Sequence, residues 1–312
     1  MARLTDRTTV AWRERGPTEP SPAVSSLLQP LDPAELRVET LDDRHRRELI
    51  ALVDDDPIVN CVVSARLRAL GTVEPRTFGG PMIGARDATG RLTGAAFAGA
   101  NLLPVGGGPA EWDALGTYLG GGRRPCSSIV GRADAVAGMW DALAAGWDRP
   151  RAVRPHQPLL VLDRSAPLPV GDSRVDRARP DQLESYLPAA AAMFTEELGI
   201  SPFEAPGDYR RRVAGLIAEG RAFCSVDARG EVVFKADLGA LSPHTCQVQG
   251  VWVRPDWRGR GIGTAGLATV LRHALTLAPS VSLYVNDFNV AARRMYRRLG
   301  LHEVAVLRTI LF

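Results

Sequence analysis

The chain has 312 residues, 45% of them hydrophobic and 23% charged, and its formal net charge is +3. The length exceeds one typical domain, the composition is that of a globular protein with ample core material, and the charge is too small to argue for a nucleic-acid partner. No apolar run could span a membrane, and the N-terminal residues contain no apolar signal segment, so we expect neither a membrane partner nor secretion. The four cysteines show neither CxxC nor metal-ligand spacing, which favours a cytoplasmic protein without a metal.

Residues 1–33 are rich in Pro, Ser, Thr and charge, which predicts a flexible N-terminal tail. Residues 34–165 then alternate between strand and helix signals. Strands are predicted at Leu36–Leu41, on both sides of a turn at Thr89–Gly90, and in the runs CSSIVGR and PLLVLDR. Helices are predicted in HRRELIALV, PIVNCVVSARLRAL, EWDALGTYLG and ADAVAGMWDALAAG.

The stretch Ser165–Ser173 is punctuated by Pro and Gly and has no apolar periodicity, so it is a predicted linker. After it the pattern starts again. SRVDRARPDQLESYLPAAAAMF has the same order as LRVETLDDRHRRELIALV, namely a short strand beginning Arg-Val, a polar turn with Asp, and a helix. This similarity predicts two related domains, residues 34–165 and 173–312.

The second domain continues with helices through MFTEELG and DYRRRVAGLIAEG and a hairpin that turns at Arg229–Gly230. The strand TCQVQGVWV leads into the segment RPDWRGRGIGTAG, which is followed by a helix with an apolar face. SVSLYVN is a predicted strand, and AARRMYRRLG is a predicted helix that ends at Gly300.

The corner between strand and helix, Arg258-x-x-Gly261-x-Gly263, carries two arginines and three glycines. A helix N-terminus has unpaired N–H groups and partial positive charge, and glycine lets the backbone approach a phosphate closely. Arg258 and Arg260 add full charges. The corner therefore predicts a phosphate or pyrophosphate site, although it matches neither the P-loop nor the dinucleotide fingerprint.

Two motifs resemble the GCN5-related N-acetyltransferase (GNAT) family. The corner matches the family's [RQ]-x-x-G-x-[GA] pattern, and LYVNDFNVAARRMYRRLGL, Leu283–Leu301, is similar to its second motif. The resemblance covers about residues 173–312, and the whole chain resembles actinobacterial proteins in which an uncharacterised domain precedes a GNAT domain. It implies an α/β (α+β) fold that is tandem GNAT-like, with mixed, mostly antiparallel sheets flanked by helices. Residues 34–165 would then be a degenerate GNAT-like unit and residues 173–312 the catalytic one.

The resemblance also implies roles for single residues. The backbone of Val251, Trp252 and Val253 would bind the pantetheine arm and the thioester carbonyl of acetyl-CoA. The pyrophosphate loop would comprise Arg258, Gly259, Arg260, Gly261, Ile262, Gly263 and Thr264. Asn289 would contact the CoA arm, or would cap the following helix. Tyr296 would be the general acid that protonates the departing thiolate, or would be a core tyrosine.

The motifs do not identify the general base, because many family members place a Glu on the strand before the corner, where this chain has Gln247 and Gln249. Glu196 and Glu197, in the region expected to flank the acceptor, are the first candidates for catalysis. Alternatives are Asp237, His244 and the terminal carboxylate of Phe312.

These features predict an acetyl-CoA-dependent N-acetyltransferase that transfers the acetyl group directly to a primary amine of a small molecule or peptide. The first domain would help to shape the acceptor pocket. Two alternatives remain at this point: a non-catalytic acyl-CoA-binding or regulatory protein, and a nucleotide-binding module. The sequence leaves the identity of the acceptor and the oligomeric state open.

Overall fold

The structure, a computed structural model, describes residues 36–203 and 209–312. The predicted tail, residues 1–33, lies outside the described residues. In the part that is described, no helix combines the length and the apolar character that crossing a membrane requires.

Twelve strands form one sheet in this part of the chain. In chain order they are β1 Arg37–Leu41, β2 Met82–Arg86, β3 Leu92–Ala98, β4 Asn101–Gly106, β5 Ser128–Arg132, β6 Ala152–Asp163, β7 Asp176–Arg177, β8 Ala222–Val226, β9 Val232–Leu241, β10 Cys246–Val253, β11 Ser280–Tyr284 and β12 His302–Leu311. The helices are α1 Arg46–Asp54, α2 Cys61–Leu70, α3 Pro75–Phe78, α4 Pro109–Gly120, α5 Ala133–Leu143, α6 Leu183–Leu198, α7 Tyr209–Ala218, α8 Ile262–Leu277 and α9 Val290–Arg298.

The two halves of the chain repeat one order of elements. The first half is β1-α1-α2-β2-β3-β4-α4-β5-α5-β6, and the second is β7-α6-α7-β8-β9-β10-α8-β11-α9-β12. Only the short helix α3 interrupts the correspondence, and a 3-10 turn precedes both α1 and α6. The repeat confirms the tandem fold class, a mixed and mostly antiparallel arrangement flanked by helices.

The two halves share their sheet because they exchange their last strands. The strand order is β1-β2-β3-β4-β5-β12-β6-β11-β10-β9-β8-β7. Strand β12 of the second half therefore lies beside β5 of the first, and β6 of the first half lies beside β11 of the second. Only β4–β5 and β10–β11 are parallel pairs, and they occupy equivalent positions in the two halves.

Helices cover both faces of the sheet in each half. The second half places α8 and α9 over one face and α6 and α7 over the other, and each pair encloses its own hydrophobic cluster. The apolar face predicted for the helix after the corner is buried as expected, with Leu267, Val270, Leu271 and Ala274 fully enclosed and Leu275 nearly so. Burial of these side chains fixes α8, and with it the corner, against the sheet.

Strand β4 is the main element that the sequence does not predict. Its sequence, NLLPVG, contains Pro104, which lacks the N–H that a central strand needs. The structure accommodates the proline because β4 pairs with β5 only at Asn101 and Leu102. Beyond Leu102 that edge of the strand has no ladder, so it requires no donor there.

Candidate functional site

The cleft of the second half opens where two parallel strands separate. Strand β10 pairs with β11 only through Cys246 and Gln247, whereas β11 continues along β6 as far as Tyr284. The ladder of β10 with β9 is interrupted between Gln249 and Trp252 by a bulge at residues 250 and 251. The last residues of β10, among them Val251, Trp252 and Val253, are thus free of β11.

The corner after β10 has an open backbone. Gly259 and Gly261 have positive φ values of 76° and 80°, and a methyl group placed on either would meet no atom within 4 Å. Gly261 is the N-cap of α8, and it provides no side-chain cap for the N–H groups of Ile262, Gly263 and Thr264. These donors, together with the positive end of the helix, form a surface that fits a phosphate group.

The two arginines of the corner are both engaged with neighbouring groups. Arg258 donates from Nε to the carbonyl of Val253 at 2.8 Å and from Nη2 to Oε2 of Glu196 at 2.7 Å. Arg260 lies over the ring of Trp257, with its guanidinium carbon 5.4 Å from the ring centroid. Arg258 therefore meets a carboxylate of the protein itself.

Gly263 serves packing in addition to any role in binding. A Cβ at this position would lie 3.1 Å from Sδ of Met295 and 3.3 Å from Cγ2 of Val253. The absence of a side chain thus permits α8 to lie close to both α9 and β10. The sequence pattern gave no separate signal for this packing role.

The adjacent carboxylates Glu196 and Glu197, at the end of α6, have different partners. Glu196 accepts hydrogen bonds from Nε1 of Trp252 at 3.0 Å and from Arg258. Glu197 faces Arg154 of β6, with Oε1 and Nη1 3.5 Å apart. About half of each carboxylate side chain remains accessible to solvent. Only Glu196 is tied to the corner.

Glu197 shares its surroundings with two tyrosines. Burial raises the pKa of Tyr296 far above its ordinary value, and the negative charge of Glu197 raises it further. Burial, assisted by the charge of Glu197, also raises the pKa of Tyr284 to about 12, although 38% of that side chain is accessible. The charge of Glu197 thus acts on both phenols, of which Tyr284 is partly accessible, whereas Tyr296 is 7% exposed and lies in the hydrophobic cluster beneath α8 and α9.

Asn289 caps helix α9. Its Oδ1 accepts a hydrogen bond from the N–H of Ala292 at 3.1 Å. The structure thus has the capping arrangement that was one of the two readings of this residue. A neighbouring asparagine that the sequence did not single out, Asn286, accepts a hydrogen bond from Nε2 of Gln157 at 2.9 Å, which links the segment after β11 to β6.

The other candidate bases lie elsewhere or are occupied. Asp237 is 5% exposed, and its two carboxylate oxygens accept hydrogen bonds from Tyr186 and Lys235. His244 precedes the paired end of β10 and lies 3.5 Å from Asp54 of the first half. The ring of Phe312 packs between Trp140 and Trp147, and so the chain terminus lies with the first half.

A buried charged cluster beneath the bulge is the main feature that the sequence did not predict. Nζ of Lys235 donates to Oδ2 of Asp237 at 2.6 Å and to the carbonyl of Gly250 at 2.9 Å. The hydroxyl of Tyr186 donates to Oδ1 of Asp237 at 2.5 Å. The one available signal was that Lys235 is the sole lysine of the sequence.

The first half has an equivalent corner that is closed. Strand β4 ends at Gly106 and Gly107 follows it, both with positive φ, before α4 begins. There Oε2 of Glu111 accepts a hydrogen bond from the N–H of Gly108 at 2.9 Å, and Nε1 of Trp112 donates to the carbonyl of Gly106 at 3.0 Å. Glu111 is 8% exposed. A carboxylate of the chain therefore caps the N-terminus of α4.

The first half also contacts the end of α6 through β6 and the residue that precedes it. Arg151 donates from Nη1 to the carbonyl of Leu198 at 2.8 Å, and Arg154 donates from Nη2 to the carbonyl of Glu197. Both arginines thus bind carbonyl groups at the C-terminal end of α6, where the helix carries partial negative charge. Across the described ranges 36–203 and 209–312, no group of His, Cys, Asp or Glu side chains could hold a metal ion.

Two family models match parts of the chain. Residues 190–301 match the model of the acetyltransferase (GNAT) family, and residues 80–186 match a domain of unknown function, DUF4081. No curated protein matches the chain.

Several solved structures share the fold. A GCN5-related N-acetyltransferase from Sphaerobacter thermophilus is 17% identical, with 90% of this chain and 97% of that chain covered at a TM-score of 0.56. A GNAT-family acetyltransferase from Colwellia psychrerythraea is 15% identical, with 88% and 99% covered at 0.53. A Drosophila protein is 16% identical, with 88% and 98% covered at 0.58. At these identities the likeness concerns the fold, and it spans both halves of the chain.

Proposed function

Because residues 190–301 match the model of the acetyltransferase (GNAT) family, we propose that the protein transfers an acetyl group from acetyl-CoA to a primary amine of a small molecule or peptide. The observation that carries the proposal is the open corner at Gly259–Gly261 directly beside the separated end of β10. One feature can bind a pyrophosphate and the other can bind an amide-containing arm. In the first half the equivalent corner is capped by Glu111, so we assign one acetyl-CoA site to the chain.

The corner would hold the pyrophosphate of acetyl-CoA through the N–H groups of Ile262, Gly263 and Thr264. Arg258 would add its charge by exchanging Glu196 for a phosphate oxygen. The backbone from Val251 to Val253, which has no ladder to β11, would bind the pantetheine arm and receive the thioester.

The chemistry is a direct displacement. The amine nitrogen attacks the thioester carbon, the carbon–nitrogen bond forms, and the carbon–sulfur bond breaks with its electron pair on sulfur. Tyr296 would donate its proton to that sulfur, since a tyrosine phenol is protonated at neutral pH. A base removes the proton that the amine nitrogen loses.

Glu197 suits the role of base better than Glu196. The charge of Glu197 acts on both Tyr284 and Tyr296, and one of its oxygens lies 3.5 Å from Nη1 of Arg154. Both oxygens of Glu196 are engaged, by Trp252 and by Arg258. We therefore assign proton removal to Glu197, directly or through a water molecule, and assign Glu196 to the corner.

The test is the release of free thiol from acetyl-CoA in the presence of a panel of amines. The proposal predicts turnover by the wild type, and predicts that Tyr296→Phe and Glu197→Gln each lower kcat by about a hundredfold or more. Tyr284→Phe serves as the matched control for loss of a phenol near Glu197 and should retain most of the rate. Full activity in Tyr296→Phe would overturn its role as the acid.

A second function receives support from one observation. Gln247 and Gln249 stand on β10 where many GNAT enzymes have a glutamate, which favours a non-catalytic acyl-CoA-binding protein. The same assay separates the two functions. A binding protein would bind acetyl-CoA in a calorimetric titration and release no thiol with any amine.

A further inference from the structure

We infer that Lys235 is a positioning residue for the acyl-transfer site: it orients and polarises the Gly250–Val251 peptide, so that the N–H of Val251 can receive the negative charge on the thioester oxygen. The inference rests on the proposed function and deepens it. It arises from the buried cluster of Lys235, Asp237 and Tyr186 below the bulge of β10, which no motif of the sequence explains.

The side chains of Lys235 and Asp237 pack directly against Gly250 of the bulge. Lys235 has no exposed surface, and its Nζ contacts both the carboxylate of Asp237 and the carbonyl of Gly250, at 2.6 and 2.9 Å. Gly250 has a φ of 60°, and a Cβ there would lie 2.7 Å from Oδ2 of Asp237 and 2.8 Å from Nζ of Lys235. Only glycine can therefore occupy this position while the ion pair is in place.

The orientation of the peptide follows from covalent geometry. No peptide bond in the described part of the chain is cis. In a trans peptide the C=O and the following N–H point in opposite directions. The carbonyl of Gly250 points at Nζ of Lys235, and hence the N–H of Val251 points away from it.

The charge of Lys235 strengthens that N–H as a donor. A cationic donor on the carbonyl oxygen draws electron density through the peptide, and hydrogen bonds in series polarise one another in a low-dielectric interior. A donor that is fixed before the reaction stabilises an oxyanion without reorganising. Lys235 would thus act in the transition state, through Val251, without touching either substrate.

A purely structural role explains the cluster less well. Removing two charges from water costs about as much as their attraction returns, so a buried ion pair is weak support for stability. This one is additionally fixed by Tyr186, whose hydroxyl binds Oδ1 of Asp237 and whose ring centroid is 5.3 Å from Nζ of Lys235. The cluster holds Nζ at one position, which is what a positioning role requires.

The first experiment observes the peptide directly. Residues 250–251 are the sole Gly–Val pair in the sequence, so labelling glycine with carbonyl ¹³C and valine with ¹⁵N yields one selected amide signal, that of Val251. Lys235→Met should move this signal to lower ¹H frequency. Since that variant leaves the Asp237 carboxylate without its partner, Lys235→Met/Asp237→Asn provides a neutral pair in case the single variant does not fold.

The control is Thr245→Val, which deletes another fully buried polar group in the turn before β10, where Thr245 donates to the carbonyl of Ser280 at 3.3 Å. The control should leave the Val251 signal in place. A Val251 signal that does not move in a folded Lys235 variant would overturn the inference, whether or not the chain is an acetyltransferase.

The second experiment measures whether catalysis depends on Lys235. In the folded variant, kcat should fall by about tenfold or more while the Kd for acetyl-CoA stays within about twofold, because the lost interaction is made only in the transition state. A kcat within twofold of the wild type, or a parallel loss of acetyl-CoA binding, would contradict the positioning role. If the wild type itself shows no turnover, the proposed function fails. Acetyl-CoA must then still shift the Val251 signal in the wild type and less in the variant, and failure of that shift would overturn this inference as well.

Discussion

Glu196 and Arg258 are joined by an ion pair of 2.7 Å that connects the end of α6 to the corner before α8. The same carboxylate accepts a hydrogen bond from Trp252 on β10. One glutamate thus links three elements of the proposed site. It also offers Arg258 a negative charge in place of the phosphate that we propose as its ligand.

Glu196→Gln should therefore raise the affinity for acetyl-CoA. The substitution removes the competing charge and keeps an oxygen for Trp252. Since both partners are nearly half exposed, the ion pair is worth less than about 1 kcal/mol, and the expected gain is about twofold to fivefold in Kd. Calorimetric titration measures it. Glu197→Gln, the matched neutralisation at the next residue, should change Kd less, and an equal effect of both variants would contradict a specific role for Glu196.

Arg154→Met should weaken use of the amine and leave acetyl-CoA binding unchanged. Arg154 holds both the carbonyl and the carboxylate of Glu197, so its loss frees the end of α6 on the acceptor side of the cleft. We expect a fall of about tenfold in kcat/KM for the amine. Arg164→Met is the control, because Arg164 donates to the carbonyl of Ala278 just beyond the far end of β6. Normal kinetics of Arg154→Met would show that the first half does not shape the acceptor side.

Stability should decline at alkaline pH because the four cysteine thiols are buried in the fold, Cys61 and Cys246 most completely. Burial raises the pKa of Cys61 to about 11 and that of Cys246 to about 12, whereas a thiol in an unfolded chain titrates near 8.5. Both contributions are complete below about pH 8.5 and are lost as pH rises, because the unfolded chain then releases these protons first.

Each thiol should lower the free energy of unfolding by at most about 1.4 kcal/mol per pH unit above this value. Urea unfolding at pH 8, 9 and 10 measures the slope. The double variant Cys61→Ala/Cys246→Ala should show a shallower dependence on pH, whatever its absolute stability. A slope equal to that of the wild type would refute the assignment.

The chain should bind one acetyl-CoA. The corner of the first half is capped by Glu111, a side chain of the same helix that it closes. Glu111→Ala should lower the free energy of unfolding by about 1 kcal/mol, because a helix loses its N-terminal cap. The stoichiometry from calorimetry should be one in the wild type. A second site of similar affinity in the wild type would show that the first half is functional.

The sequence predicted the corner well because its signals are local. Positive φ at Gly259 and Gly261 and the helix that follows depend on neighbouring residues, and the apolar spacing of α8 determines which face is buried. The order of elements was likewise visible as a repeat. These features required no knowledge of which strands pair.

Features that depend on distant contacts could not be predicted. Lys235 and Asp237 are two residues apart, but Tyr186 and Gly250 reach them only through the folded sheet. The exchange of β6 and β12 depends on pairing across the two halves, and no local pattern encodes it. The same holds for Arg154, whose partner Glu197 is in the other half of the sequence.

The central claim is that the corner from Arg258 to Thr264 binds the pyrophosphate of acetyl-CoA. Calorimetric titration of acetyl-CoA into the wild type and into Gly261→Glu tests it most directly. Gly261 has a φ of 80°, and its surroundings are open, so glutamate adds backbone strain and a negative charge at the phosphate site and leaves the core untouched. The account predicts binding by the wild type, no response to ATP, and loss of acetyl-CoA binding in a folded Gly261→Glu variant. Equal affinity of the two proteins would contradict it.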